Sequence, residues 1–142
     1  MDYIAQLIER YPVLASVEDE IRTAYQVLER AYTNHKKLLV GGNGGSCADA
    51  EHIVGELMKG FVKKREIPKT MQERLLGLDQ ELGKQLANGL QSSLRAIAIT
   101  GHAGLSTAFA NDVDPEMTYA QQVNGYGDEG DVLLVISTSG NS

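Results

Sequence analysis

Asp131-Val-Leu-Leu-Val-Ile-Ser-Thr-Ser-Gly-Asn-Ser142 decides the fold class of this chain. An apolar strand over 131–136 runs into a small polar loop, and such a loop normally leads into a helix. The sequence therefore reads as the amino-terminal part of a larger α/β domain. Two upstream runs repeat the pattern. Lys37–Val40 ends in Gly41-Gly-Asn-Gly-Gly45, and Arg95–Thr100 ends in a loop expected over 101–112. Helical segments separate the three runs. Strands alternating with helices imply parallel βαβ units, hence an α/β fold with a parallel sheet flanked by helices.

Working outward, Tyr3, Ile4, Leu7 and Ile8 fall at helical spacing within Asp2–Arg10, and Pro12 interrupts that helix. Ser16-Val-Glu-Asp19 reads as a capping box opening a second helix, with Ile21, Ala24, Tyr25, Leu28 and Tyr32 on one stripe. Residues 1–35 are thus an amino-terminal helical pair, and residues 36–142 the βαβ core of one domain. The pair covers a sheet edge, serves oligomerisation, or does both. Ser46-Cys-Ala-Asp49 reads as another capping box, opening a helix through about Met58. A basic stretch at Lys63-Lys-Arg65 follows, closed by Pro68. Thr70–Leu94 is helix-prone, although Gly77, Gly83 and Gly89 weaken it. Asp114-Pro115-Glu116 supplies a cap, a proline at the first helical position and an acid, predicting a helix to about Asn124.

Composition narrows the function classes. Thirteen basic against nineteen acidic residues give a net charge of −6, the opposite of the basic face a nucleic-acid reader carries. No apolar run approaches the ~18 residues that span a bilayer, and the first ten residues do not resemble a signal peptide. The hydrophobic share of 42 % is enough to bury a core. The single cysteine, Cys47, can form neither an internal disulfide nor a thiolate zinc cluster. The expectation is a cytoplasmic domain with no membrane or direct nucleic-acid partner.

In open parallel sheets, ligands gather at the carboxyl ends of the strands, and all three strands here end there in small polar residues. Gly42-Asn-Gly-Gly-Ser46 has neither GxGxxG nor a Walker A lysine, which disfavours a nucleotide cofactor. Its glycines let backbone amides approach an anion at a helix amino terminus, or they make an ordinary tight turn. Ser137-Thr-Ser-Gly-Asn-Ser142 packs four hydroxyls into six residues, and these can hold a phosphate without a basic side chain. His52 and Glu56 lie four apart on one helix face, as a metal pair, an acid/base pair or a plain surface pair. Asn111-Asp112 either contacts ligand hydroxyls or shapes the turn before Asp114. Cys47 has no identifiable base and reads as a packed small residue. His35 and His102 have no partnered context.

Together, Gly42–Ser46, Asp49-Ala50, His52, Glu56-Leu57, Asn111-Asp112 and Gly130–Ser142 resemble the sugar isomerase (SIS) domain family, and within it the phosphoheptose isomerases. The resemblance runs from Lys37 onward, in matching order and offsets. It implies an incomplete SIS-type sheet and isomerisation of sedoheptulose 7-phosphate to an aldoheptose phosphate through an enediol. It also implies phosphate on Ser137, Thr138, Ser139 and Ser142, with Asn43, Gly44, Gly45, Asn111 and Asp112 lining the site. Glu56 would be the acid/base residue, and His52 and Glu56 the zinc ligands found in some members. The family's remaining ligands, a glutamine and a histidine on a later helix, have no counterpart here, and Lys69–Leu94 is longer than the family's usual link. A homotetramer with sites at subunit interfaces is implied. The competing expectation is a non-catalytic SIS module that senses a sugar phosphate or binds a partner protein, as the replication-initiator-associating relatives do.

Overall fold

A computed structural model describes residues 2–140. Seven α-helices and three strands follow one another as α1 (Tyr3–Arg10), α2 (Glu18–Thr33), β1 (Leu38–Gly42), α3 (Gly45–Met58), α4 (Lys69–Leu78), α5 (Gln80–Gly89), β2 (Ala96–Ala98), α6 (Ala103–Asp112), α7 (Thr118–Tyr126) and β3 (Val132–Ile136). Short 3-10 turns at Pro12–Val17 and Pro115–Met117 lead into α2 and α7. Both pairings in the sheet are parallel, in the order β2-β1-β3, as the alternating pattern predicts. Among the described residues no helix is long and apolar enough to cross a membrane.

The sheet is centred on β1, whose five residues are all buried. Leu38 and Val40 point to one face, where they pack with Ala50, Ile53, Val54 and Leu57 of α3 and with Leu28 and Tyr32 of α2. Leu39 and Gly41 point the other way, Gly41 lying beside Ile99 and Tyr119. This is the period-two alternation of a strand covered on both sides. At the amino end of the sheet, Lys37 ties β1 to the turn before β3. Its ammonium meets Asp131 at 2.5 Å and Asp128 at 2.6 Å, and its backbone N–H donates to the Asp131 carboxylate at 2.9 Å.

Three local expectations are corrected. Ser16 caps nothing: it lies inside the first 3-10 turn, and α2 starts at Glu18 with Val17 in the cap position and no side-chain cap. Ser46 is likewise no cap, being buried in the first turn of α3 with Gly44 in the cap position. The loop expected over 101–112 is mostly helix α6, because a run of small residues ending in Thr-Ala-Phe-Ala is as compatible with a helix as with a coil. The helix-prone 70–94 stretch forms two helices, as the Asp79 carboxylate accepts from the Glu81 and Leu82 amides and starts α5 afresh. Asp114 does cap as expected, accepting from the Glu116 amide at 2.8 Å.

Candidate functional site

The loops after β1 and β3 meet. A cavity of about 390 Å³ opens where the two strands end, lined by Gly42, Asn43 and Ser46 on one side and Ile136, Ser137 and Thr138 on the other. Pro115, Glu116, Thr118 and Tyr119 close its third side. None of its lining side chains is basic, so an anion here would depend on hydroxyls and backbone amides.

Local geometry explains the shape of the first loop. Gly44 adopts φ +58, a left-handed conformation that an L side chain rarely takes, and α3 begins directly after it. The amides of Ser46 and Cys47 close tight turns onto the Asn43 and Gly44 carbonyls, both at 3.1 Å. A Cβ on Gly42 would come within 2.8 Å of the Ser46 Cβ and carbonyl oxygen, so only glycine lets α3 seat against the end of β1. The amino end of α3, with its positive dipole end, thus lies against the cavity. On the opposite side the Ser137 hydroxyl accepts from the Gly140 amide at 3.0 Å and folds the loop back on itself.

Among the cavity residues that sequence reasoning missed, Tyr119 is the one whose side chain joins two elements. Its hydroxyl donates to the Gly42 carbonyl at 2.7 Å and lies 2.9 Å from the Asn43 carboxamide oxygen, fastening α7 to the first loop. Burial pushes its phenol above the usual range; the bond to Gly42 opposes that rise and the neighbouring Cys47 adds to it. Nothing in the local sequence marks a contact spanning so many residues.

The remaining expected residues lie elsewhere. Gly44 and Gly45 shape the loop without lining the cavity. Ser139 is exposed in the bend after β3, and Ser142 lies outside the described residues. Asn111 and Asp112 sit exposed in the last turn of α6, where the Asn111 amide donates to the Asp112 carboxylate at 2.8 Å. Neither lines the cavity.

His52 and Glu56 do face each other along α3, with Nε2 and Oε1 3.8 Å apart. The Lys59 ammonium meets the same Glu56 oxygen at 3.1 Å, while Oε2 is buried without a hydrogen-bond partner. Glu56 stands eleven residues beyond the start of α3, roughly 16 Å along the helix axis from the cavity end. Imidazole and carboxylate are zinc donors in kind, but a tetrahedral site takes four ligands. Among the described residues no group of three or more His, Cys, Asp or Glu gathers around a common point. The pair alone does not make a zinc site.

The chain is 36 % identical to the phosphoheptose isomerase of a Nitratiruptor species over 141 residues, covering 96 % of this chain and 62 % of that protein. It is 33 % identical to the phosphoheptose isomerase of Clostridium acetobutylicum, across 87 % of this chain and 50 % of that one. The fold agrees. Phosphoheptose isomerase GmhA from Neisseria gonorrhoeae superposes with a TM-score of 0.63 at 28 % identity, over 99 % of this chain and 56 % of its own. This chain is a homologue of the phosphoheptose isomerases. A phosphoheptose isomerase from Francisella tularensis matches equally well, at TM-score 0.63 and 27 % identity, with 65 % of its length covered. No family model matches the chain. The chain spans between half and two thirds of the length of these phosphoheptose isomerases.

Proposed function

We propose that this chain supplies the sugar-phosphate-binding part of an aldose–ketose isomerase acting on sedoheptulose 7-phosphate or a close analogue. One observation carries the reading: the β1 and β3 loops converge on a single cavity at the carboxyl ends of the parallel strands, with Asn43, Ser137 and Thr138 on its wall. The names of the homologous proteins support a sugar phosphate as the ligand of that cavity. Hydroxyls and amides would hold the phosphate, and Glu56 would move the proton between the two sugar carbons through an enediol, as a carboxylate near both can do.

Glu56 does not share the cavity within one chain. The reading therefore includes assembly: Glu56 of one copy serves the cavity of another, in a homotetramer with sites between subunits. Zinc held in part by His52 and Glu56, with its further ligands from outside residues 2–140, and a cytoplasmic location complete the proposal. Bound zinc would polarise the sugar carbonyl. The non-catalytic alternative, a sugar-phosphate sensor or partner-binding module, is not favoured, since the homologues are named as isomerases.

The test is calorimetric titration of the chain with sedoheptulose 7-phosphate, with the unphosphorylated sugar as control. Phosphate-dependent binding, weakened in Thr138→Val, is expected. Binding that is absent, or equal for both sugars, overturns the reading. Glu56→Gln is expected to abolish turnover and leave binding in place, and undiminished turnover would remove Glu56 from its role.

A further inference from the structure

We propose that Tyr119 is a positioning residue for the polyol end of the ligand: its hydroxyl turns the Asn43 carboxamide so that the amide oxygen faces the cavity as an acceptor. The proposal rests on the sugar-phosphate reading above and adds a direction to it.

Two oxygens compete for one proton. The Tyr119 oxygen lies 2.7 Å from the Gly42 carbonyl and 2.9 Å from Asn43 Oδ1, yet a phenol has one proton. The Gly42 carbonyl can only accept, so the proton goes there. The phenol oxygen then offers Asn43 only lone pairs, which an amide NH₂ satisfies and an amide oxygen does not. A half-turn of the carboxamide exchanges oxygen and nitrogen with no other movement. Held in that orientation, Asn43 donates to Tyr119 and turns its oxygen away from the phenol, toward the space it lines with Ser137 and Thr138.

Ligand chemistry follows. An amide oxygen accepts from a sugar hydroxyl and has nothing to offer a phosphate oxygen. The Ser137 and Thr138 hydroxyls across the cavity can donate to one. The phosphate therefore sits at the β3 loop and the polyol at the β1 loop. Tyr119 tunes the second without touching the first.

Tyr119→Phe removes the hydroxyl and keeps the ring. Its affinity for sedoheptulose 7-phosphate is expected to fall about five- to tenfold, the worth of one net hydrogen bond, with affinity for inorganic phosphate unchanged. The Asn43 side-chain NH₂ resonances, displaced by their bond to the phenol, should move to free-amide positions. Asn43→Asp, which cannot donate to the phenol, should lose the sugar phosphate at least as much. Equal loss of both ligands in Tyr119→Phe would show general loop support and overturn the proposal, as would unchanged sugar-phosphate affinity. If the unaltered chain binds neither ligand, the sugar-phosphate reading falls by itself. The amide resonances then decide the orientation of Asn43, and resonances that stay put in Tyr119→Phe overturn it.

Discussion

β1 and β3 both begin with a run of leucine and valine, run in the same direction and end at the same cavity, yet their surroundings differ sharply. β1 is buried at every position, between two strands and two helical layers. β3 is an edge strand whose middle residues are open: Leu133 is 47 %, Leu134 37 % and Val135 61 % exposed. An apolar run reports that a segment will be a strand; burial depends on what the topology places beside it. β3 thus carries more apolar surface than a solvated edge requires, and such edges invite pairing with another chain.

The two strands differ most in what they contribute to the core. Leu39→Ala should cost about 3 kcal/mol in urea unfolding, whereas Leu134→Ala should cost under about 1 kcal/mol. Equal losses would mean that β3 is as well covered in solution as β1. Next comes the clamp that joins the two strands at their amino ends. Burial would raise the Asp131 carboxyl, but hydrogen bonds from the Lys37 ammonium and from the Lys37 and Asp128 amides outweigh it and bring the value to about 2. The folded value lies below the ordinary 3.8, so its contribution is complete above 3.8 and is lost as the pH falls through about 2. Asp131→Asn should remove about 2 kcal/mol at neutral pH and flatten this acid limb in thermal melts.

A smaller effect is expected at the cavity end. Gly42→Ala should cost about 1–2 kcal/mol by forcing α3 away from β1, and it should weaken sugar-phosphate binding in the same titration. An unchanged melting temperature would show that the seat is looser than the 2.8 Å approach implies. Smallest in stability is Leu134→Lys, expected to change unfolding by under about 1 kcal/mol while suppressing self-association in sedimentation, because an edge lysine resists pairing.

The sheet was legible because three apolar runs are separated by segments long enough for crossovers, and because Asp114-Pro115 announces a helix start through local chemistry alone. The capping boxes at Ser16 and Ser46 misled for a shared reason. A serine three residues before an acid can cap only if the backbone is extended there, and Ser46 is instead drawn into the first turn of α3 by the close seat on Gly42. Of the candidate site, the convergence of the Asn43 and Ser137–Thr138 loops follows from parallel topology, which puts successive carboxyl ends side by side. The place of Tyr119 does not. It depends on how α7 lies across the sheet, and no spacing along the chain encodes that. Glu56 was legible as a helix-face partner of His52, but its distance from the cavity becomes visible only once α3 has a length and a direction.

The hairpin of α4 and α5 is pinned at its root. Glu66 pairs with Gln91 in an antiparallel bridge, the Ser92 amide donates to the Arg65 carbonyl at 2.7 Å, and the Arg65 guanidinium holds the Ser92 and Leu57 carbonyls together. The chain leaves the crossover and re-enters it at nearly one point. Whatever lies between is topologically a side branch, so residues 68–90, beyond the buried Ile67, should lengthen, shorten or be replaced by a foreign segment while α3 still hands the chain on to β2.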